Sequence, residues 1–382
     1  MTDSISDTRP ARAQRGFSWR RWRNRKIASP AFQSWATRFP LTRGHAKREG
    51  ERMFDLVSGF VYSQVLYALV ELDLLVAARD DPQTVAMLAN RSRVPPDRME
   101  ALCQAATALG LFERVGDRYQ LASLGAALLG VPGVTDMIRH HDVFYRDMED
   151  PIAVLRGERE TELARFWPYV FGAGAVEQPE VAERYSKLMA DSQGLVAEET
   201  LRTVSLDGIS HLLDVGGGTG AFLDAVGRAY PSLRLSLFDL PAVVPAAETR
   251  FREAGMTGRA SVFGGSFRDD PLPEGADAAS LIRVCYDHAD DTVRALMAKI
   301  FAVLPPGGRL IVSEPMSGGA TPERAADAYF AFYCMAMQTG RVRSRARIAE
   351  LMKEAGFQAI EMPRARRTFV TSVVVGCKPV AT

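Results

Sequence analysis

Asp214 lies near the end of the apolar stretch HLLDV (211–215), and GGGTG (216–220) follows that stretch at once. Gly216, Gly218 and Ala221 satisfy the G-x-G-x-x-G/A pattern of dinucleotide-binding turns, where glycines let the backbone approach a ligand closely. A carboxylate at Asp214 would repel a pyrophosphate and attract a cation. Asp239, at the end of LRLSLFDL, can accept hydrogen bonds from both ribose hydroxyls, but it would serve NAD equally. The weight therefore rests on Asp214 with the loop, which reads as a seat for the positively charged methyl donor S-adenosylmethionine rather than for a dinucleotide. A second group is Tyr286-Asp287-His288, which follows ADAASLIRV, and a third is Glu314 in GRLIVSEP. A tyrosine with a pKa near 10 is a poor base at neutral pH but a usable hydrogen-bond partner. His288 reads either as a displaced base or as a surface or supporting histidine.

Strands and helices alternate after residue 190, and that alternation must position these groups. Strands are expected over His211–Val215, LRLSLFDL, about Ala260–Phe263, ADAASLIRV and GRLIVSEP, with a helix over Ala221–Tyr230. The pattern implies an α/β doubly wound, Rossmann-like parallel sheet whose ligands gather at the carboxyl ends of the strands. Residues 53–190 read as mainly helical. Within them Pro82–Ala89 and Pro95–Leu109 give two helices, and FERVGDRYQLA (112–122) a two-stranded wing turning at Gly116-Asp117. The would-be recognition helix carries one arginine balanced by Asp97 and Glu100, so packing or dimerisation is favoured over DNA binding, which needs several positive charges. His140 and His141 read either as neighbours of the acceptor hydroxyl or, since helix-surface histidines are common, as surface residues, and they are left outside the site. DAYFAFYCMAMQTG (327–340) reads as one helix, apolar nearly all round, divided between core and an acceptor channel.

Of 382 residues, 47 % are hydrophobic and 24 % charged, which excludes collagenous, disordered and small disulfide-stapled classes. Four scattered cysteines and histidines without ligand spacing indicate neither a disulfide framework nor a metal site, and a reducing, cytoplasmic compartment is expected. The net charge of +1 hides an asymmetry. Residues 1–52 hold 13 basic and four acidic side chains, leaving 34 basic and 42 acidic in the rest. This arm also holds Trp19, Trp22 and Trp35, three of the four tryptophans. Tryptophan enrichment favours a peripheral contact with an anionic membrane surface over a solvated tail or a nucleic-acid arm. No spanning helix is expected: the best candidate, Phe54–Ala78, contains Ser63, Gln64, Glu71 and Asp73 and reads as an amphipathic core helix.

LLDVGGGTG (212–220), FDLP (238–241), GGSFRDDPLP (264–273), LIRVCYDHADD (281–291) and LPPGGRLIVSEP (304–315) together resemble the two-domain O-methyltransferases with a winged-helix dimerisation domain. The resemblance covers residues from about 53 to the end. It implies a homodimer, and cofactor contacts at Gly216, Asp239, Leu240, Ser266, Phe267 and Arg283. Where the phenol-methylating members have a histidine base in an HDW-like motif, this sequence has Tyr286, and the second glutamate, from a GKERT-like motif, falls on Val342 in GRVRS (340–344). These departures, the Trp/Arg-rich arm and FDLVSGFVYSQVLYALV (54–70) resemble the carotenoid-pathway branch, the hydroxyneurosporene or demethylspheroidene type. That branch implies a tertiary 1-hydroxyl of an acyclic carotenoid as acceptor. The competing readings are a soluble phenol, a tetrapyrrole carbon, a ligand-sensing DNA-binding regulator, and a cofactor-binding scaffold without turnover.

Overall fold

The computed structural model describes residues 11–166 and 193–380. The arm is helical there: α1 spans Ala11–Ile27 and α2 Pro30–Arg38. Prolines punctuate it. Pro30 opens α2, where its missing N–H costs nothing, and Pro40 forces Phe39 out of the helical region, to ψ 127°.

The next helix, α3 (Arg43–Glu71), runs unbroken through the charge boundary at residue 52. The core-helix expectation fails for its first half. Met53, Phe54, Leu56, Val57 and Phe60 are 64–81 % exposed, and only Leu69 and Val70 of this helix are buried. The apolar spacing is real, but the first half projects past the elements that bury its last turns. By length and composition α3 is long and apolar enough to cross a membrane.

Between the short helices α4 (Leu74–Ala77) and α7 (Ser123–Gly130), the winged-helix reading matches the helices α5 (Val85–Ser92) and α6 (Pro96–Ala108) and the wing strands β2 (Phe112–Val115) and β3 (Arg118–Leu121). A short β1 (Gln83–Thr84) pairs with β3 and completes a three-stranded sheet. The wing turns where Gly116 takes φ +64°, a left-handed conformation that glycine adopts without a Cβ clash. Leu74, Leu88, Met99, Cys103 and Phe112 form its core together with the end of α3. Helix α8 (Val134–Asp147) then crosses towards the second half of the molecule. The expected domain boundary at residue 190 lies outside the described residues.

The second half is a seven-stranded sheet in the order β6-β5-β4-β7-β8-β10-β9. Its parallel strands are β4 (His211–Val215), β5 (Arg234–Asp239), β6 (Ala260–Gly264), β7 (Ala278–Ile282) and β8 (Arg309–Glu314). Two strands go beyond the expected five: β9 (Gln358–Glu361) and β10 (Ser372–Cys377), with β10 antiparallel to both β8 and β9. Alternate strand residues feed apolar layers on opposite faces. Leu213 packs with Val293 and Met297, while Leu212 packs with Phe222 and Phe251. With both faces covered, a ligand of this parallel sheet is placed at the carboxyl ends of its strands.

Candidate active site

At the carboxyl end of β4, Asp214 is 1 % exposed; Ser280 Oγ, from β7, donates to its Oδ1 at 2.6 Å. Its Oδ2 is buried without a hydrogen-bond partner, and burial pushes the carboxyl up to about 7. The glycine run arches over it. Gly216 and Gly218 take φ +71° and +58°, and a Cβ on Gly217 would sit 2.7 Å from Asp214 Oδ2. Asp239 closes the other side of the loop: Gly218 N–H donates to its Oδ2 and Leu240 N–H to its Oδ1, both at 2.7 Å. Burial raises this carboxyl too, against the pull of those two amides.

The loop after β6 completes this side. Ser266 N–H donates to Asp270 at 2.8 Å, and Lys299 Nζ ties the carbonyls of Phe267, Arg268 and Asp270 together at 2.9–3.0 Å. Gly216, Gly218, Asp239, Leu240, Ser266, Phe267 and Arg283 are all half-buried and lie at the carboxyl ends of β4, β5, β6 and β7, where a parallel sheet opens its ligand cleft. An orphaned buried carboxylate oxygen under a bare backbone arch fits a cationic nucleoside ligand.

The other side of the cleft follows β7. Arg283 has φ +58°, a strained value for a residue with a side chain, and it introduces a single 3-10 turn, Cys285–Asp287. Two buried ionic groups grip this turn. Glu314, fully buried, accepts from Tyr286 N–H at 3.0 Å. Arg343 donates to Cys285 O and His288 O at 2.7 Å each and to Asp290 Oδ1 at 2.8 Å. Burial pushes Glu314 up to about 7 and Asp287 well above the ordinary carboxylate range, the latter further raised by Glu314 and opposed by Arg283. Gly340 presses on the turn from outside: a Cβ there would meet Tyr286 O at 2.1 Å, and its φ is +65°. Only glycine fits.

Tyr286 is 2 % exposed and Arg283 Nη2 donates to its hydroxyl at 3.3 Å. Burial holds this phenol far above its ordinary value, so Tyr286 keeps its proton. His288, two positions on, goes elsewhere: its ring stands edge-on to Phe267 at 5.2 Å and its Nδ1 meets Arg268 at 3.2 Å. Burial and the nearby Arg268 and Arg343 drop it to about 4, so the ring is neutral. The residues named from sequence therefore divide. Glu314 spends its carboxylate on the backbone of the turn, His288 lines the side of Phe267, and Tyr286 with Asp287 faces Arg283.

The model of the O-methyltransferase domain matches residues 145–358, and that of the O-methyltransferase dimerisation domain matches residues 54–130. The chain belongs to this O-methyltransferase family. It is 55 % identical to demethylspheroidene O-methyltransferase of Cereibacter sphaeroides over 97 % of both chains. It is 52 % identical to that of Rhodobacter capsulatus, over 88 % of this chain and 84 % of the relative. In fold it is similar to human N-acetylserotonin methyltransferase, solved in complex with SAM: TM-score 0.73, 24 % identity, covering 87 % of this chain and 98 % of that one.

Within this O-methyltransferase, sequence reading missed the residues that reach the cleft from a distance. His140 and His141 are not helix-surface residues: His140 meets Tyr333 Oη at 2.9 Å and His141 meets Tyr329 Oη at 2.7 Å. The single helix expected over 327–340 is a π-helix, Arg324–Phe330, followed by a short α-helix, Ala331–Ala336. Arg343 was passed over because an arginine in a polar loop reads as solvated; only its fully buried side chain shows otherwise. One available signal was Gly340, a glycine beside two arginines with no hairpin to explain it.

Proposed function

We propose that this O-methyltransferase uses S-adenosylmethionine to methylate the tertiary 1-hydroxyl of an acyclic hydroxycarotenoid in carotenoid biosynthesis. The supporting observation is its 55 % identity with a demethylspheroidene O-methyltransferase over 371 residues, a length that must take in most of the arm and the helical half as well as the donor fold.

The donor supplies an electrophilic sulfonium methyl. Asp239 would hold the ribose hydroxyls, Asp214 beneath the bare glycine arch would be the negative counterpart of the ligand's charge, and Leu240, Ser266, Phe267 and Arg283 would border the nucleoside. Tyr286 does not act as a base, because burial keeps it protonated. With Arg283 donating to its oxygen, its own proton is directed to the acceptor hydroxyl, which it orients. Glu314 and Arg343 hold the turn that carries it. A tertiary alkanol is far less acidic than a phenol, so early deprotonation gains little; placement in a dry cleft and late proton loss suit it better.

Two further contacts belong to this reading. The exposed stripe Met53, Phe54, Leu56, Val57 and Phe60 opens the dimerisation domain and is the face for a second copy, making the enzyme a homodimer. The arm displays Trp19, Trp22 and Trp35, each about half exposed, among arginines, and rests on the cytoplasmic face of an anionic membrane where the polyene resides. Removing residues 1–52 is expected to reduce sedimentation with anionic liposomes, most at low salt. Equal binding with and without the arm would move the contact elsewhere.

The deciding experiment supplies labelled S-adenosylmethionine together with a 1-hydroxylated acyclic carotenoid in liposomes or, in parallel, a catechol-type phenol. Label in the carotenoid alone supports the proposal; label only in the phenol overturns it.

A further inference from the structure

Two histidine–tyrosine pairs join α8 to the segment after β8, and they are not equivalent. His140 and Tyr333 are sealed, 8 % and 5 % exposed, among Val143, Leu163 and Met337. His141 and Tyr329 are half-buried instead. The first pair is a fastening between the two halves of the molecule. The second has an open side.

Phe330 links that pair to Tyr286. Tyr329 lies on the last turn of the π-helix, with its ring 5.0 Å from Phe330, and Phe330 stands 6.4 Å from Tyr286. Arg283, which donates to Tyr286, also pulls the Tyr329 hydroxyl towards ionisation against the upward push of burial. One guanidinium thus bonds the first phenol and acts on the second through its charge. A π-turn is rare and concentrates at functional sites, because its wider ring displaces the side chains that follow from their α-helical positions.

We propose that Tyr329, backed by His141, takes the proton of the acceptor hydroxyl, so that the base missing at position 286 is supplied from across the cleft by the helical half of the enzyme. This rests on the hydroxycarotenoid reading above. Burial lowers the proton affinity of His141, and its neutral ring accepts the Tyr329 hydroxyl at Nε2 in the Nδ1–H tautomer. As the acceptor oxygen forms its bond to the methyl carbon, the carbon–sulfur bond of the donor breaks and sulfur keeps the pair. The hydroxyl proton passes to Tyr329 Oη while the proton of Tyr329 passes to His141 Nε2. The products are the ether, the neutral thioether and an imidazolium that later releases its proton to water. Tyr329 touches the acceptor; His141 acts through it.

The test compares Tyr329→Phe, His141→Gln and the double variant as full-length enzyme with the hydroxycarotenoid in liposomes. Each single variant is expected to lower kcat about 10²-fold. KM, donor affinity by calorimetry and carotenoid binding by fluorescence quenching should stay within about twofold, and the double variant should be no slower than the worse single one, as for groups that act as a unit. Unchanged kcat in either variant, losses confined to KM, or losses that multiply in the double variant would overturn the relay. Should His141→Gln not fold, Tyr329→Phe, which deletes one oxygen, is decisive alone. Failure of the substrate reading is separable: wild-type enzyme would then label the phenol and not the carotenoid, and the relay would be judged on the phenol by the same kcat criteria.

Discussion

Gly218 and Asp239 meet from positions 21 residues apart, whereas His141 and Tyr329 meet across 188. The donor side of the cleft is built from consecutive strand ends and the turns between them, the acceptor side from three segments folded together from both halves of the chain. Local construction makes the donor side a motif that a short stretch of sequence spells out. Long-range construction lets the acceptor side change chemistry without disturbing the donor, since Tyr286 can replace a histidine while Asp214 and the glycine arch stay as they are.

If the two sides are this separate, damage to one should spare the other. Arg343→Leu gives the largest expected effect. It strips the buried carbonyls of Cys285 and His288 of their donor, while Asp290 keeps Arg347 and Arg341, and each buried acceptor left unpaired costs about 1–3 kcal/mol. Denaturant unfolding should read that loss together with a collapse of turnover. Donor affinity falling in proportion would break the comparison.

Asp239→Ala comes next. Losing a carboxylate that receives two charge-assisted hydrogen bonds from ribose should weaken donor binding about 10²-fold, roughly 3 kcal/mol, with carotenoid binding unchanged. Calorimetry with the donor and fluorescence quenching with the acceptor read the two sides apart. A parallel loss of both would show that the sides are coupled.

The smallest effect is a pH dependence. Folding raises the Asp214 carboxyl from its ordinary 3.8 to about 7, so the folded ligand-free protein keeps a proton that the unfolded chain releases. Its stability contribution is therefore full below pH 4 and is lost as pH rises to about 7. A bound cation favours the ionised form, so donor affinity should run the other way, rising by up to about tenfold per pH unit below 7 and levelling above it. Asp214→Asn should flatten the profile. A wild-type affinity that does not change between pH 5 and 7 would remove Asp214 from the donor side.

The elements were legible wherever neighbouring residues decide them. HLLDV followed by glycines must be a strand and a turn, and the wing must turn at Gly116. Other features were not. The last hairpin, β9 and β10, was missed because an apolar run such as SVVVGC does not say whether it pairs parallel or antiparallel. The α3 helix misled because its apolar spacing says which residues seek burial, but not whether this chain or a second copy supplies the cover.

What the sequence by itself determined is the frame of the proposed donor half: an acid before a glycine arch and a second acid at the next strand end, written within one βαβ unit. What only the tertiary structure decided is the acceptor half. Whether His141 faces solvent or Tyr329, whether Arg343 is solvated or clamps a catalytic turn, and where the ring of His288 points depend on which distant surfaces pack against them. Hydrophobic burial selects those contacts over the whole chain, and local spacing carries no record of them.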